Sequence, residues 1–223
     1  MGSSSWLVQV ADYVELAAYG SLGFPFLTAV YRWHRLSPAL RLLACIPAYM
    51  LLLFTLMRLA AYWDQHNIWL AHLSVIGESL LYLGTFGLAL PRVRKWLPAL
   101  VTVFLAAAVL DSLVLEGLEQ LNSYTIALES FLGILLVLLY FEQEVNNHSP
   151  TPLLKRPLLV ASIGIVLYLA GTVTIYLASN SFVNDKVGMS LLYTVNSVLL
   201  LVLAALLTCS FRLAGTLSTS TAT

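Results

Sequence analysis

The sequence predicts an all-α, polytopic membrane protein with seven transmembrane helices, its N-terminus outside and its C-terminus in the cytoplasm. Of the 223 residues, 60% are hydrophobic and 10% are charged, whereas about 25% are charged in an average soluble domain. The apolar residues form long solid runs, unlike the alternating segments of a β-barrel. This composition excludes an ordinary soluble enzyme, and a formal net charge of zero offers no basic surface for nucleic acid.

Seven apolar segments are each close to the length of about 20 residues that a spanning helix needs. Polar or proline-containing breaks separate them, and the weakest break is the stretch 116–122. The predicted spans are about 9–31, 39–62, 68–90, 97–117, 122–141, 157–178 and 189–211. We therefore expect residues 1–212 to form a single transmembrane domain, followed by a disordered Ser/Thr-rich tail at 213–223.

Asp12 and Glu15 interrupt the first predicted span. This segment has no basic leading region and no small-residue cleavage site, so we expect a retained helix and not a signal peptide. Pro25 in this span and Pro47 in the second lie inside helical runs, where a proline removes a backbone hydrogen bond. Both spans are therefore expected to be kinked.

The distribution of Lys and Arg predicts the orientation. Nine of the eleven lie in the first, third and fifth loops or at the C-terminal end. Arg58 lies inside the second span, so only Lys186 remains for the opposite side. Because positively charged loops stay in the cytoplasm, the N-terminus is expected outside, in a chain located in the cytoplasmic (inner) membrane. The tryptophans expected at the two membrane boundaries are Trp6, Trp63 and Trp69 outside and Trp33 and Trp96 inside.

Polar side chains within the spans predict an intramembrane cavity. A charged residue at the bilayer centre costs about 2.5–3.5 kcal/mol on insertion scales, yet five spans carry an ionisable residue. These residues, together with one amide, are Glu15, Arg58, Glu78, Asp111, Glu129 and Asn196. At a rise of about 1.5 Å per residue, all of them lie in the outer half of the membrane or near its midplane. We therefore expect one cavity, walled by several helices and open toward the outside.

Helical spacing gives these residues polar neighbours on the same face, as for Ser74, Glu78 and Tyr82 at intervals of four. The candidates for ligand binding or proton relay are Glu15, Arg58, Glu78, Tyr82, Asp111, Asn122, Glu129, Tyr168 and Asn196. Four intramembrane carboxyl groups accompany a single arginine, which is expected to pair with one of them. The other three need water, a cation, a cationic ligand or a proton. The alternative is that they are only hydrogen-bonded contacts between helices.

Several kinds of chemistry lack the residues they need. A retinal Schiff base needs a lysine in the last span, and the three lysines all lie in loops. Neither a protease motif nor a nucleotide-binding motif occurs. A zinc site formed by His66, His72 and acidic residues is the one metal arrangement that these residues leave open. We nevertheless expect His72 to be a packing residue, because it lies off the Glu78 face. No catalytic residue, cofactor or metal site is therefore predicted, and an enzyme is the less favoured class.

The fifth predicted span region contains Leu121-Asn122-Ser123-Tyr124, Leu128-Glu129-Ser130 and Leu139-Tyr140-Phe141. The third contains His72 followed by Glu78-Ser79-Leu80. Together these patterns resemble a family of uncharacterised small seven-helix integral membrane proteins from Bacteroidota, over the second to the seventh span. The resemblance implies a seven-helix architecture and no chemistry, and it suggests a sensor kinase as the kind of partner.

Three classes of function fit these features. We predict a sensor or receptor-like module that binds a small ligand in an outward-facing polar cavity, and that contacts a membrane signalling partner through its basic cytoplasmic loops. The alternative is a small-solute or proton-coupled transporter. The third is a lipid-modifying intramembrane enzyme, or a scaffold subunit whose acids pair with a partner's basic residues. A cavity confined to the outer half favours the sensor, and a polar route to the cytoplasm favours the transporter.

Overall fold

The computed structural model describes residues 3–63, 65, 67–118, 120, 122–147, 152–179 and 186–217, and this part of the chain is helical between short connections. The helices are α1 (Ser3–Ser21), α2 (Gly23–Tyr31), α3 (Pro38–Leu43), α4 (Cys45–Tyr62), α5 (Ile68–Ala89), α6 (Pro91–Arg94), α7 (Leu97–Leu110), α8 (Ser123–Asn146), α9 (Pro157–Ser179) and α10 (Lys186–Leu217). A π-helical turn, Asp111–Leu115, continues α7. Helix α10 enters the predicted tail as far as Leu217, and residues 218–223 lie outside the described residues.

Six helical segments are long and apolar enough to cross a membrane. They are Pro38–Tyr62, Ile68–Ala89, Leu97–Leu115, Ser123–Asn146, Pro157–Leu177 and Val187–Ala214. These segments coincide with the second to the seventh predicted span, so the all-helical, multi-pass membrane class is confirmed. The region of the first predicted span, 9–31, is helical as well, but it is divided between α1 and α2 and is not among the six.

Helix interruptions precede Pro25 and Pro47, where the sequence predicts kinks. Helix α1 ends at Ser21 and helix α3 ends at Leu43, each four residues before a proline. Pro25 and Pro47 have no N–H group to donate to these carbonyl oxygens, so the helical hydrogen-bond ladder stops there. Helices α2 and α4 then continue beyond the breaks.

The helices form a ring with one member outside it. Helix α1 packs on α10, α10 on α9, α9 on α8, α8 on α5 and α5 on α4, and α4 touches α1. Helix α7 contacts α5 and α8 but does not enter the ring. The outward-facing side chains of α7 and of the π-helical turn that continues it are apolar, for example Val103, Leu113 and Val114, which are 63%, 71% and 70% exposed. Such a surface matches the hydrocarbon of a bilayer, which is as apolar as leucine.

Two glycines bring α9 and α10 close together, in the most extensive helix contact of the described structure. A Cβ atom at Gly164 would lie 3.1 Å from the Cβ of Leu206, and one at Gly171 would overlap Leu199. Both glycines are therefore close-packing positions between α9 and α10. Further along the bundle, Phe86, Ile165 and Leu203 are fully buried and fill the ring toward the end that carries the basic loops.

Candidate ligand cavity

A half-enclosed cavity of about 350 Å³ lies inside the ring, where α4 ends and α5 and α8 begin. Helices α1, α4, α5, α8, α9 and α10 contribute lining residues, and α7 contributes none among the described residues. Seven of the nine predicted site residues line it, and they are Glu15, Arg58, Glu78, Asn122, Glu129, Tyr168 and Asn196. The ring therefore brings together polar residues that are up to 181 positions apart in the chain.

An ionic cluster forms part of the cavity wall. The Arg58 Nη2 atom lies 2.5 Å from Glu15 Oε2 and 3.3 Å from Asp12 Oδ1. The guanidinium group also lies over the Phe54 ring, 5.2 Å from its centroid, and that ring stacks on Tyr19 at 3.9 Å. The sequence predicts one carboxylate partner for Arg58, and the structure supplies two from the same helix face, because residues 12 and 15 are almost one turn apart.

Glu78 lies on the α5 wall of the cavity. Its Oε1 atom accepts a hydrogen bond of 2.8 Å from Ser74 Oγ, as the spacing of four residues predicts. Tyr82 is one turn further along α5 and does not line the main cavity. Instead it borders a gap of about 10 Å³ together with Ser79 and Glu129.

Two buried polar side chains, one just before α8 and one within it, contain atoms without a hydrogen-bond partner among the described residues. Glu129 is 6% exposed and Asn122, at the start of α8, is 1% exposed. In the part of the chain that the structure describes, Glu129 Oε1 and both amide atoms of Asn122 have no hydrogen-bond partner. A buried polar atom without a partner is costly, and both residues face the cavity. These buried atoms therefore still need hydrogen-bond partners.

Aromatic and amide side chains complete the wall opposite α5. Thr172 Oγ1 donates to Asn196 Oδ1 at 3.2 Å, which links α9 to α10. Tyr168, Tyr176 and Tyr193 lie on the same side of the cavity. With Tyr19 and Phe54, five aromatic rings surround the space.

The set of candidates chosen from the sequence omits several polar lining residues, among them Asn67. Asn67 lies just before α5, lines the cavity, and donates from Nδ2 to the carbonyl oxygen of Met57 at 3.1 Å. Its signal in the sequence is a polar residue at the entry of a span. That signal is weak, because loops carry many such residues.

Asp111 is placed outside the cavity, unlike the other acidic candidates. It is 1% exposed, and its Oδ2 atom accepts from Thr125 N at 3.0 Å and from Thr125 Oγ1 at 2.5 Å. Glu116 Oε2 likewise accepts from Ser123 N at 2.5 Å. Both carboxyl groups thus satisfy amides in the first turn of α8, where negative charge is favourable. Burial raises the pKa of Glu116, and the hydrogen bond from Ser123 opposes that rise.

We expect Asp111→Asn to destabilise the protein without altering the cavity. Asparagine keeps the size but loses the charge that strengthens both bonds from Thr125, so the free energy of unfolding should fall by about 1 kcal/mol. Thermal unfolding of purified protein measures this loss. A variant of unchanged stability that instead changes labelling or binding in the cavity would contradict the capping role.

His72 connects α5 to the segment between α7 and α8. It is 4% exposed, with Nδ1 2.9 Å from Ser112 Oγ and Nε2 3.1 Å from the Gln120 carbonyl oxygen. Both ring nitrogens thus form hydrogen bonds within the protein. Among the described residues, no group of three His, Cys, Asp or Glu is arranged to hold a metal ion.

Comparison of the chain with protein-family models, with curated proteins and with solved structures found no match.

Proposed function

We propose that the protein is an integral membrane sensor or receptor-like module that binds a small ligand in this cavity. The observation that supports it most strongly is the pair of buried side chains, Asn122 and Glu129, which line the cavity and contain polar atoms without partners in the described structure. The cavity volume of about 350 Å³ falls within the range of about 300–1,000 Å³ typical of small-molecule sites. Ligand contacts with α5, α8 and α9 would favour one arrangement of the ring over another.

We further propose that α1 and α2 together form a seventh span, with the N-terminus outside. Helix α1 packs along α10 and supplies two cavity residues, so it belongs to the bundle although its apolar run is interrupted. The basic loops lie at the end opposite the cavity, where Arg35, Arg94 and Arg156 line a groove of about 1040 Å³. By the positive-inside rule this end faces the cytoplasm, the membrane is the inner one, and the groove is where a signalling partner would bind.

Thiol labelling in intact cells tests the orientation and the access to the cavity. In a background of Cys45→Ser and Cys209→Ser, we expect Ala71→Cys, in the cavity wall, to react with an impermeant charged reagent such as MTSET. Val103→Cys on the outer face of α7 is the matched control and should stay unlabelled, because lipid covers it. Leu154→Cys, beside the basic loops, should react only after permeabilisation. Labelling of Leu154→Cys in intact cells would show that the proposed orientation is inverted.

Native mass spectrometry of gently purified protein tests ligand binding directly. We expect a stoichiometric small molecule on the wild-type protein that is lost in Glu129→Gln. Glu142→Gln makes the same change at an exposed position of α8 away from the cavity, and it should keep the bound mass. A bare wild-type protein with a labelled cavity would argue against a resident ligand and in favour of the second candidate.

The second candidate is a proton-coupled transporter, which is favoured by a column of hydroxyl groups beyond the cavity. The buried oxygens of Ser79, Tyr82, Thr85 and Ser130 have no hydrogen-bond partner among the described residues. The gap beside Tyr82 and Glu129 has a volume of about 10 Å³, close to the minimum for one water molecule. Hydroxyl groups and water in such a column can relay protons from a carboxyl group.

Proton flux into liposomes distinguishes this second candidate. If the column conducts, wild-type protein should collapse an imposed pH gradient, Tyr82→Phe should slow the flux, and Glu129→Gln should abolish it. Tyr13→Phe, on the exposed face of α1, is the matched control and should not change it. Flux equal to that of protein-free liposomes would show that the column does not conduct protons and would favour the receptor.

A further inference from the structure

We infer that the cavity selects a small organic cation, whose ammonium group is held between Glu78, Glu129 and the surrounding aromatic rings. This inference rests on the proposed ligand-binding function and adds the chemical class of the ligand. Among the described lining residues there are three carboxylates, and Arg58 is the single Lys or Arg. Arg58 is bonded to Glu15 and Asp12. Glu78 and Glu129 therefore have no cationic partner in that lining.

The hydrogen bonding of Glu78 and Glu129 also favours a cationic ligand. Glu78 Oε1 receives one neutral donor, from Ser74, and Glu129 Oε1 receives none in the described structure. A charged donor satisfies a buried carboxylate better than a neutral one does, and an ammonium group supplies both charge and C–H or N–H contacts. The amide nitrogen of Asn122 is also without a partner there.

The aromatic lining favours an organic cation over a metal ion. The rings that line the cavity are those of Tyr19, Phe54, Tyr168, Tyr176 and Tyr193. Aromatic faces attract organic cations through their quadrupole, and aromatic-lined sites are the usual recognition device for quaternary ammonium groups. A metal ion requires several ligand atoms at short distance instead, and no described set of three His, Cys, Asp or Glu offers them.

The test is a matched panel of probes on the purified full-length protein in nanodiscs. The ammonium probes are tetramethylammonium, choline, benzyltrimethylammonium and phenethylammonium. The neutral isostere of choline is 3,3-dimethyl-1-butanol, and the anionic control is 3,3-dimethylbutanoate. Thermal unfolding and titration calorimetry are the measurements. We expect at least one ammonium probe to raise the unfolding temperature in proportion to its concentration, and neither control to do so.

Variants of the lining residues show where the ammonium probe binds. Glu129→Gln and Glu78→Gln should each weaken the best ammonium probe by about tenfold or more, whereas Glu142→Gln on the exposed face of α8 should not. Tyr193→Leu should weaken it about 2- to 30-fold. Tyr193→Phe keeps the ring and should bind nearly as well as the wild-type protein.

The inference and the proposed function fail in distinguishable ways. A cavity that accepts the thiol reagent, but is stabilised equally by the neutral alcohol or the anion, would overturn the cationic class and keep the receptor. The cationic class would also be overturned, and the receptor kept, if every ammonium probe failed to bind while native mass spectrometry found a ligand without an amine. A cavity that is closed to the reagent, with no bound mass and no response to any probe, would overturn both.

Discussion

Replacing Arg58 by methionine is expected to reduce stability more than any other single side-chain change in the cavity wall. Methionine keeps the apolar stem of the side chain but removes the guanidinium group that bridges Asp12 and Glu15. The two carboxyl groups then lie beside one another without a counter-ion. Breaking a fully buried pair costs about 3–5 kcal/mol, and an exposed pair contributes about 0–1 kcal/mol. Since Arg58 and Glu15 are 43% and 31% exposed, we expect a loss of about 2 kcal/mol.

Neutralising the acids should restore part of this stability. In the triple variant Arg58→Met, Asp12→Asn and Glu15→Gln, no uncompensated charge remains, so thermal unfolding should shift back toward the wild-type temperature. Arg92→Met, an exposed change beside the basic groove, is the control and should have little effect. If the triple variant is no more stable than Arg58→Met alone, then Arg58 stabilises the protein by packing on Phe54 and not by charge.

The sequence predicts the position of a residue along its helix much better than its position around the bundle. Depth follows from the fixed rise per residue, and Glu15, Glu78 and Glu129, all predicted in the outer half of the membrane or near its midplane, line the same cavity. The direction that a helix face points depends on which helices are neighbours, and hydrophobic runs carry little information about that. Asp111 shows the difference. Its predicted depth places it at the same end of the bundle as the cavity, but α7 stands outside the ring, so Asp111 does not line the cavity.

Local pairs within one helix were predictable, and contacts between helices were not. The Ser74–Glu78 bond follows directly from the spacing of four, and the interruptions of α1 and α3 follow from Pro25 and Pro47. The contribution of Asn67 depends instead on how a loop folds over the end of α4. The composition of a loop does not encode such a contact.

A second large effect is expected at Gly77, where α4 and α5 meet. The Tyr49 hydroxyl donates to the Leu73 carbonyl oxygen at 2.6 Å, which holds the tyrosine ring across the surface of Gly77. A Cβ atom at position 77 would overlap that ring. In Gly77→Ala the ring must move and lose its hydrogen bond, at a combined cost of about 2–4 kcal/mol. The better helix propensity of alanine returns about 1 kcal/mol, so the net loss should be about 1–3 kcal/mol.

The experiment separates this steric effect from the general effect of replacing a helical glycine. Gly20→Ala in α1 makes the same chemical change where a Cβ atom would meet nothing within 4 Å. It should be neutral, or stabilising by up to about 1 kcal/mol. In a Tyr49→Leu background the ring is absent, and Gly77→Ala should then cost much less than in the wild-type protein. An equal cost in both backgrounds would show that Gly77 is needed for a reason other than the tyrosine ring. Because Ser74 and Glu78 are on either side of this contact in α5, a displaced Tyr49 should also weaken probe binding in the cavity.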